Sequence, residues 1–213
     1  MPERQRERPL TPQDLAALVP VSRETVERLD VYLDLLRRWQ RTINLVAAST
    51  LADSWRRHIL DSAQLIRFVP GAAIRLVDLG SGAGLPGLVL AIMGVPDVHL
   101  IESDRRKAAF LREAARATGA GTTVHACRIE EAPPLTADIV TARALAPLKD
   151  LLGHAHRFAT PGTRCLFPKG RQVEAELTDA GASWTMEVER QPSLSDVGGR
   201  ILIITELRRV GSD

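Results

Sequence analysis

The stretch from Ile74 to Gly87 constrains this chain most. An apolar run ends in Asp78-Leu79 and passes into Gly80, Gly82, Gly84 and Gly87. Glycine lets a backbone turn sharply and approach a ligand closely. An apolar helix-like segment, Leu88–Met93, follows. Strand, glycine turn and helix in that order form a cradle for a nucleotide-bearing cofactor, because the unpaired N–H groups of a helix start face the turn. The next apolar run, Val98 to Ile101, ends in Glu102, about 20 residues on, where an acid grips ribose hydroxyls. A carboxylate offers two oxygens to two vicinal donors. The plainer reading of Glu102 is a charge at the N-terminus of the following helix.

The rest of the chain sets this turn in an α/β frame. Strand-like runs occupy 74–79, 97–102, 122–127, 137–142 and 163–167, and helical segments separate them at Leu88–Met93, Arg105–Thr118, Leu148–Phe158 and Val173–Ala180. Strands alternating with helices predict a mostly parallel sheet covered on both faces. Ser183–Arg190 and Arg200–Leu207 are two further strand-like runs joined by a Pro/Ser/Gly loop without a helix, which predicts an antiparallel edge hairpin and seven strands in all. Upstream, residues 12 to about 70 read as helical. Ser22 caps a helix running to about Arg41, and Val26, Leu29, Leu33, Leu36, Trp39 and Ile43 form its apolar face, with Trp39 a core residue. Thr50-Leu51-Ala52-Asp53 resembles a capping box that opens another helix. The expected organisation is a disordered tail at 1–11, a helical extension at 12–71 and an α/β domain at 72–213.

Composition narrows the class. The chain has 213 residues, 45% of them apolar, enough for one sizeable core. No apolar run approaches the roughly 18 residues a membrane span needs, and the charged start Met1–Arg8 lacks the apolar stretch of a signal peptide. A cytoplasmic protein with no membrane partner is expected. Cys127 and Cys165, each inside an expected strand, fit no metal or redox spacing and read as buried free thiols. The five His are scattered, so no metal site is expected. Of 28 basic residues only Lys107, Lys149 and Lys169 are lysines. Arginine suits phosphate recognition, although a genome rich in G and C gives the same bias.

The glycine turn admits two cofactors. Gly82 to Gly87 matches the dinucleotide pattern G-x-G-x-x-G. Asp78-x-Gly80-x-Gly82-x-Gly84 matches the turn used for S-adenosylmethionine. The second is favoured by the lack of a second α/β substrate domain, by the terminal hairpin, and by Pro86, which has no amide hydrogen where a pyrophosphate wants donors. Arg128-Ile129-Glu130-Glu131 follows the third strand, beside the expected adenine position.

Several segments taken together carry a family resemblance: Val77–Gly87, Glu102–Lys107 with Phe110-Leu111-Arg112, Arg128–Glu131, Ala142-Arg143-Ala144, Pro168-Lys169-Gly170, and upstream Asn44-Leu45 and Arg57-His58-Ile59-Leu60-Asp61-Ser62. From about Ser22 to Leu207 the chain resembles the bacterial 16S ribosomal RNA guanine-N7 methyltransferase G family, also called glucose-inhibited division protein B. The resemblance implies a Rossmann-like class I S-adenosylmethionine-dependent methyltransferase fold with an N-terminal helical extension. It implies methyl transfer from S-adenosyl-L-methionine to N7 of one guanine in the 530 loop of 16S rRNA, leaving S-adenosyl-L-homocysteine. By similarity, Gly80, Leu85, Ile129, Glu130 and Arg143 fall on cofactor positions, with Asp78, Gly82, Gly84 and Glu102 added from the turn itself. Val46 stands where Thr is frequent in the family. The expected partner is 16S rRNA or the 30S subunit, met by a monomer. A small-molecule methyltransferase and a non-catalytic RNA- or ribosome-binding module are the alternatives.

Guanine N7 carries an in-plane lone pair and no proton, so its attack on a sulfonium methyl needs alignment rather than a general base. No acid/base catalytic group is therefore expected. Arg143, after the fourth strand, and Lys169, after the fifth, are the substrate-positioning candidates, through guanine O6 or phosphate. Arg56, Arg57, His58 and Asp61 are RNA-binding candidates. For His58 and Asp61 the competing reading is a local tie between the helical extension and the sheet.

Overall fold

The computed structural model describes residues 8–71 and 74–211. Seven strands, β1 (Arg75–Leu79), β2 (Asp97–Ile101), β3 (Thr122–His125), β4 (Ile139–Ala142), β5 (Arg164–Lys169), β6 (Trp184–Pro192) and β7 (Arg200–Arg209), form one sheet in the order β3-β2-β1-β4-β5-β7-β6. Strands β1 to β5 are mutually parallel, and β7 runs antiparallel to both β5 and β6. The order reverses between β1 and β4, so the loops leaving these two strands diverge and open a crevice at their carboxyl ends. The terminal hairpin lies at the sheet edge as expected, but β7 inserts against β5 and leaves β6 outermost.

Strand periodicity divides the core. In β1, Leu76 joins the apolar cluster on one face, while Val77 and Leu79 join the cluster on the other. The second face is covered by α6 (Leu148–His156) and α7 (Val173–Gly181), through Leu148, Leu151, Leu152, Val173 and Leu177. The first face receives α4 (Gly87–Ile92), α5 (Arg105–Thr118) and the whole helical extension.

That extension contains α1 (Pro12–Leu18), α2 (Arg23–Trp39) and a run of tighter and wider turns from Ala48 to Phe68, including a three-residue α3 (Asp61–Ala63). Ser22 caps α2, its hydroxyl accepting the Thr25 N–H at 3.0 Å. Leu29, Leu33 and Leu36 are buried in the expected stripe, and so are Tyr32, which falls on the same stripe, and Leu35 beside it. Its C-terminal part meets α5 through the edge-on contact of Trp39 and Phe110, with ring centroids 5.8 Å apart.

Three expectations are corrected. Thr50 does not cap a helix: its turn begins at Ala48, and its N–H and hydroxyl both donate to Ala47 O, while Asp53 accepts from Leu10 N and Arg56 Nε. The tail is expected to be disordered over 1–11; residues 1–7 lie outside the described residues, but Leu10 is buried and hydrogen-bonded. Cys127 sits in a bend beyond β3 and is half-buried, whereas Cys165 is buried in β5, where desolvation pushes its thiol up to about 12. Among the described residues no helix is long and apolar enough to cross a membrane.

Candidate active site

The crevice is a cleft of about 810 Å³, within the range of small-molecule sites. Its floor is the turn after β1. Gly80 and Gly82 sit at φ +60° and +55°, conformations that L side chains rarely adopt. A methyl on Gly80 would also meet Leu145 Cδ1 at 2.5 Å. Ser81 N–H donates to Ile101 O at 2.9 Å, fixing the turn to the end of β2. Glu102 completes the link. One carboxylate oxygen accepts the Gly82 N–H at 2.8 Å and the other accepts the Asp104 N–H at 2.7 Å. Asp104 caps α5, accepting from Arg106 N and Lys107 N, so that cap is not supplied by the Glu102 carboxylate, which bonds the Asp104 N–H just ahead of it.

Asp78 lies beneath this floor and does not line the cleft, which corrects its expected contact with the cofactor. It shares the strand face of Leu76, pointing toward α4, where a methyl on Gly87 would fall 2.6 Å from its Cβ. One carboxylate oxygen accepts from Thr141 Oγ at 2.7 Å and the other has no hydrogen-bond partner. Burial raises its pKa to about 6, against the opposing effect of the Thr141 bond. Gly84 also leaves the lining; its Cα packs toward Leu88 and Leu111. Ile129 and Glu130 are likewise not on the lining. Ile129 is buried in the second core, and the Glu130 carboxylate lies 3.4 Å from His154 Nδ1.

Arg143 leaves β4 through Ala144, a non-glycine residue at φ 51° that turns the chain back across the cleft. Its guanidinium donates to Arg57 O at 3.0 Å and to Asp61 Oδ2 at 3.0 Å, and lies 3.4 Å from His58 Nδ1. Only 19% of the Arg143 side chain is exposed. Asp61 also accepts from Ser195 Oγ at 2.5 Å, and Gln64 binds Leu194 N–H and Ser193 Oγ, so the β6–β7 loop is tied to the same turn. That turn is a π-helix, Trp55–Leu60, closed by Asp61 N–H donating to Arg56 O. His58 and Asp61 thus form the tie between extension and sheet, and both also line the cleft. Burial, with Arg143 adding to it, lowers the His58 pKa to about 4, so the ring is neutral near pH 7.

The expected basic rim is also revised. Lys169 lines the cleft as expected but, with 10% of its side chain exposed, pairs with Glu176 at 2.7 Å. Arg56 lines a separate depression with Arg8 and Leu18, pairing with Asp53. Arg57 does line the cleft, 3.9 Å from Asp196. The sequence reading missed Lys107 and Arg200 on the lining, and the Ser193–Asp196 loop. Arg200 reaches the lining because β7 pairs with β5 and sets it opposite Lys169.

Comparisons with known proteins agree with this geometry. A family model described as rRNA small subunit methyltransferase G, GidB, matches residues 25–203. The ribosomal RNA small subunit methyltransferase G of Rhodospirillum rubrum is 56% identical over 200 residues, covering 94% of this chain and 100% of that protein. That of Rhodospirillum centenum is 60% identical over 194 residues, covering 91% and 90%.

The chain belongs to the rRNA small subunit methyltransferase G family.

It is an S-adenosylmethionine-dependent methyltransferase with the class I fold. In fold it is similar to magnesium protoporphyrin IX methyltransferase from Synechocystis, solved with that cofactor bound (TM-score 0.54, 16% identity, covering 87% of this chain and 97% of that one). The residues present fit the cofactor. Glu102 accepts two backbone N–H groups and keeps lone pairs for further donors. At Gly82 a side chain would meet only Gly80 O, at 3.8 Å, so the floor is open for close approach.

Proposed function

We propose that the protein transfers the methyl group of S-adenosyl-L-methionine to N7 of a guanine in the 530 loop of 16S rRNA, and that the cleft after β1 and β4 is where it does so. Membership of the family makes RNA the substrate class. The observation that carries the assignment to this cleft is the glycine floor braced by Glu102 and faced by Arg143 at the sheet's switch point.

In this reading Gly80, Gly82, Leu85 and Glu102 hold the cofactor, with Glu102 accepting from the ribose hydroxyls. Backbone groups of Ile129 and Glu130 serve the adenine edge, since their side chains are engaged elsewhere. The bound cofactor supplies a sulfonium methyl as the electrophile. Guanine N7 attacks with its own lone pair, so the protein's part is alignment and exclusion of water. Arg143 acts as a positioning residue: its donors are engaged by Arg57 O and Asp61, which fixes the wall of the cleft opposite the floor. Lys169 likewise stiffens the exit of β5 through Glu176. Arg57, Lys107 and Arg200 are the cations left on the lining to meet phosphate. The working unit in this reading is a monomer, since the chain's own helices cover both sheet faces, and the reaction belongs to the cytoplasm, where ribosomal subunits are.

The test is methyl transfer from labelled cofactor to purified 30S subunits and to free 16S rRNA, with the modified base mapped. Label at guanine N7 of the 530 loop on at least one substrate is expected. Label on neither, or at another atom, overturns the assignment.

A further inference from the structure

The last turn of α2 and the first turn of α5 come together beside the cleft. The two helices run antiparallel: Arg28 Nε donates to Thr118 O at 2.6 Å near one end, and Trp39 meets Phe110 near the other. Leu45 and Val46, just past α2, and Ser103 and Lys107, at the start of α5, line the same cleft. Arg38 in the last turn of α2, Arg41 just past it and Arg105 at the start of α5 are all exposed, and none has an ion-pair partner among the described residues. Arg37 and Arg106 flank them, spanned by Asp34 at 2.9 Å and Asp104 at 3.9 Å. The other carboxylates of α2, Glu24, Glu27 and Asp30, lie in its first half, away from the junction.

Helix electrostatics account for only half of this arrangement. Cations at the C-terminus of α2 are favoured by its dipole. Arg105 and Arg106 occupy the first turn of α5, where the dipole favours anions and a cation is unfavourable. Asp104 answers Arg106, but Arg105 has no ion-pair partner among the described residues, and its placement against helix preference points to an external anion.

We propose that the α2–α5 junction, centred on Arg38, Arg41 and Arg105, is a docking surface for the ribose-phosphate backbone of the RNA that enters the cleft. The inference rests on the rRNA methyltransferase reading. Three exposed positive charges spaced along a helix junction match a flexible polyanion better than a single small anion, and contact with phosphate depends on that charge. Contacts of this kind position the strand without reading its sequence. The surface makes the helical extension part of substrate capture, since Arg38 and Arg41 belong to the extension and Arg105 to the sheet domain.

The experiment measures binding of a 16S rRNA transcript, and of an unrelated single-stranded RNA of equal length, as a function of salt. The proteins are the full-length wild type, Arg38→Glu/Arg41→Glu/Arg105→Glu, the milder triple Arg→Gln variant and a triple Arg→Lys variant. Charge reversal is expected to weaken both RNAs more than tenfold. The Gln variant flattens the plot of log K against log salt by roughly 0.7–0.9 per lost phosphate contact. The Lys variant keeps most of the affinity. S-adenosylmethionine affinity and melting temperature stay at wild-type values throughout, which shows that the fold is intact. If the wild type methylates rRNA while the Glu and Gln variants bind with unchanged affinity and salt slope, the surface is overturned and the function stands. If the Lys variant loses as much as the Gln variant, phosphate charge is not what the junction recognises. A wild type that methylates no RNA overturns the underlying function instead, independently of the variants.

Discussion

Arg143 is held by Arg57 and His58 of the π-helical turn and by Asp61 just after it, and His58 sets a pH requirement. Thr50 Oγ donates to Ala47 O, so toward His58 Nε2, 2.9 Å away, it accepts. The proton of His58 therefore sits on Nε2, and Nδ1 is left to face the Arg143 guanidinium at 3.4 Å. Protonation would set a cation against a cation. The His58 pKa falls from an ordinary 6.5 to about 4, through burial first and Arg143 second. Between these values the unfolded chain binds the proton and the folded chain does not, so stability is full above 6.5 and is lost as pH falls toward 4. Asp78 acts in the opposite sense. Burial raises it from 3.8 to about 6, so its contribution weakens as pH rises through that interval. The wild-type profile mixes the two, but the difference from His58→Gln isolates the histidine. From pH 6.5 to 4 the melting temperature of the wild type is expected to fall relative to this variant by roughly 5 °C. A constant difference in thermal scans across that range would contradict a buried neutral His58. What the sequence could not reveal at this scale was partnership. Arg143 and Lys169 were legible as cations at strand exits, but the acids that engage them, Asp61 and Glu176, come from other elements. Only the folded arrangement brings them within reach.

Helix α2 is a structural element that also shapes the site. Tyr32, fully buried, donates its hydroxyl to Ala83 O at 2.7 Å and so ties the extension to the glycine turn. Burial raises the phenol pKa, which keeps the group a donor at all ordinary pH values. Tyr32→Phe leaves that buried carbonyl without this partner, at a cost of about 1–3 kcal/mol. The urea midpoint is expected to drop with the denaturant slope unchanged, and cofactor affinity to weaken because Ala83 lines the cleft. Unchanged stability and affinity would show that the turn holds its shape without α2. Elements of this kind were partly readable. The Ser22 cap and the leucine stripe of α2 follow from local chemistry and helical period, and the strands of the sheet from apolar runs. Tyr32 falls on the same stripe by helical period, three residues after Leu29 and four before Leu36; what period could not show is its hydroxyl partner, Ala83, which comes from another element. The turns from Ala48 to Phe68 were read as ordinary helix because a change of winding leaves no mark in apolar spacing. Cys127 was assigned to a strand because β3 stops at His125, where pairing with β2 ends rather than where apolar residues do.

At the scale of the molecule, the division into extension and sheet domain is one of chain order, and the packing does not follow it. Leu29, Tyr32, Leu33 and Leu36 of α2 share one apolar cluster with Leu88 and Val89 of α4, Phe110 and Leu111 of α5, and Leu76 and Leu100 of the sheet. Burial of this kind stabilises by roughly 25 cal/mol per Å² of apolar area removed from water. Polar ties cross the same boundary at Arg28–Thr118, Tyr32–Ala83, Asp61–Arg143 and Gln64–Leu194. The two parts should then unfold as one. Calorimetry of the full chain is expected to give a single transition with equal calorimetric and van't Hoff enthalpies. Saturating cofactor at about 100 times its Kd should stabilise the whole molecule by about 2.7 kcal/mol, although the proposed cofactor residues all lie in the sheet domain. The reason is that the extension cannot detach without uncovering the first face of the sheet and releasing the turn held by Tyr32. Two resolved transitions, with only the upper one moved by cofactor, would instead make the extension an independent unit. The crossing ties at Ala83 and Arg143 would then be contacts between separable parts, rather than the framework on which the cleft depends.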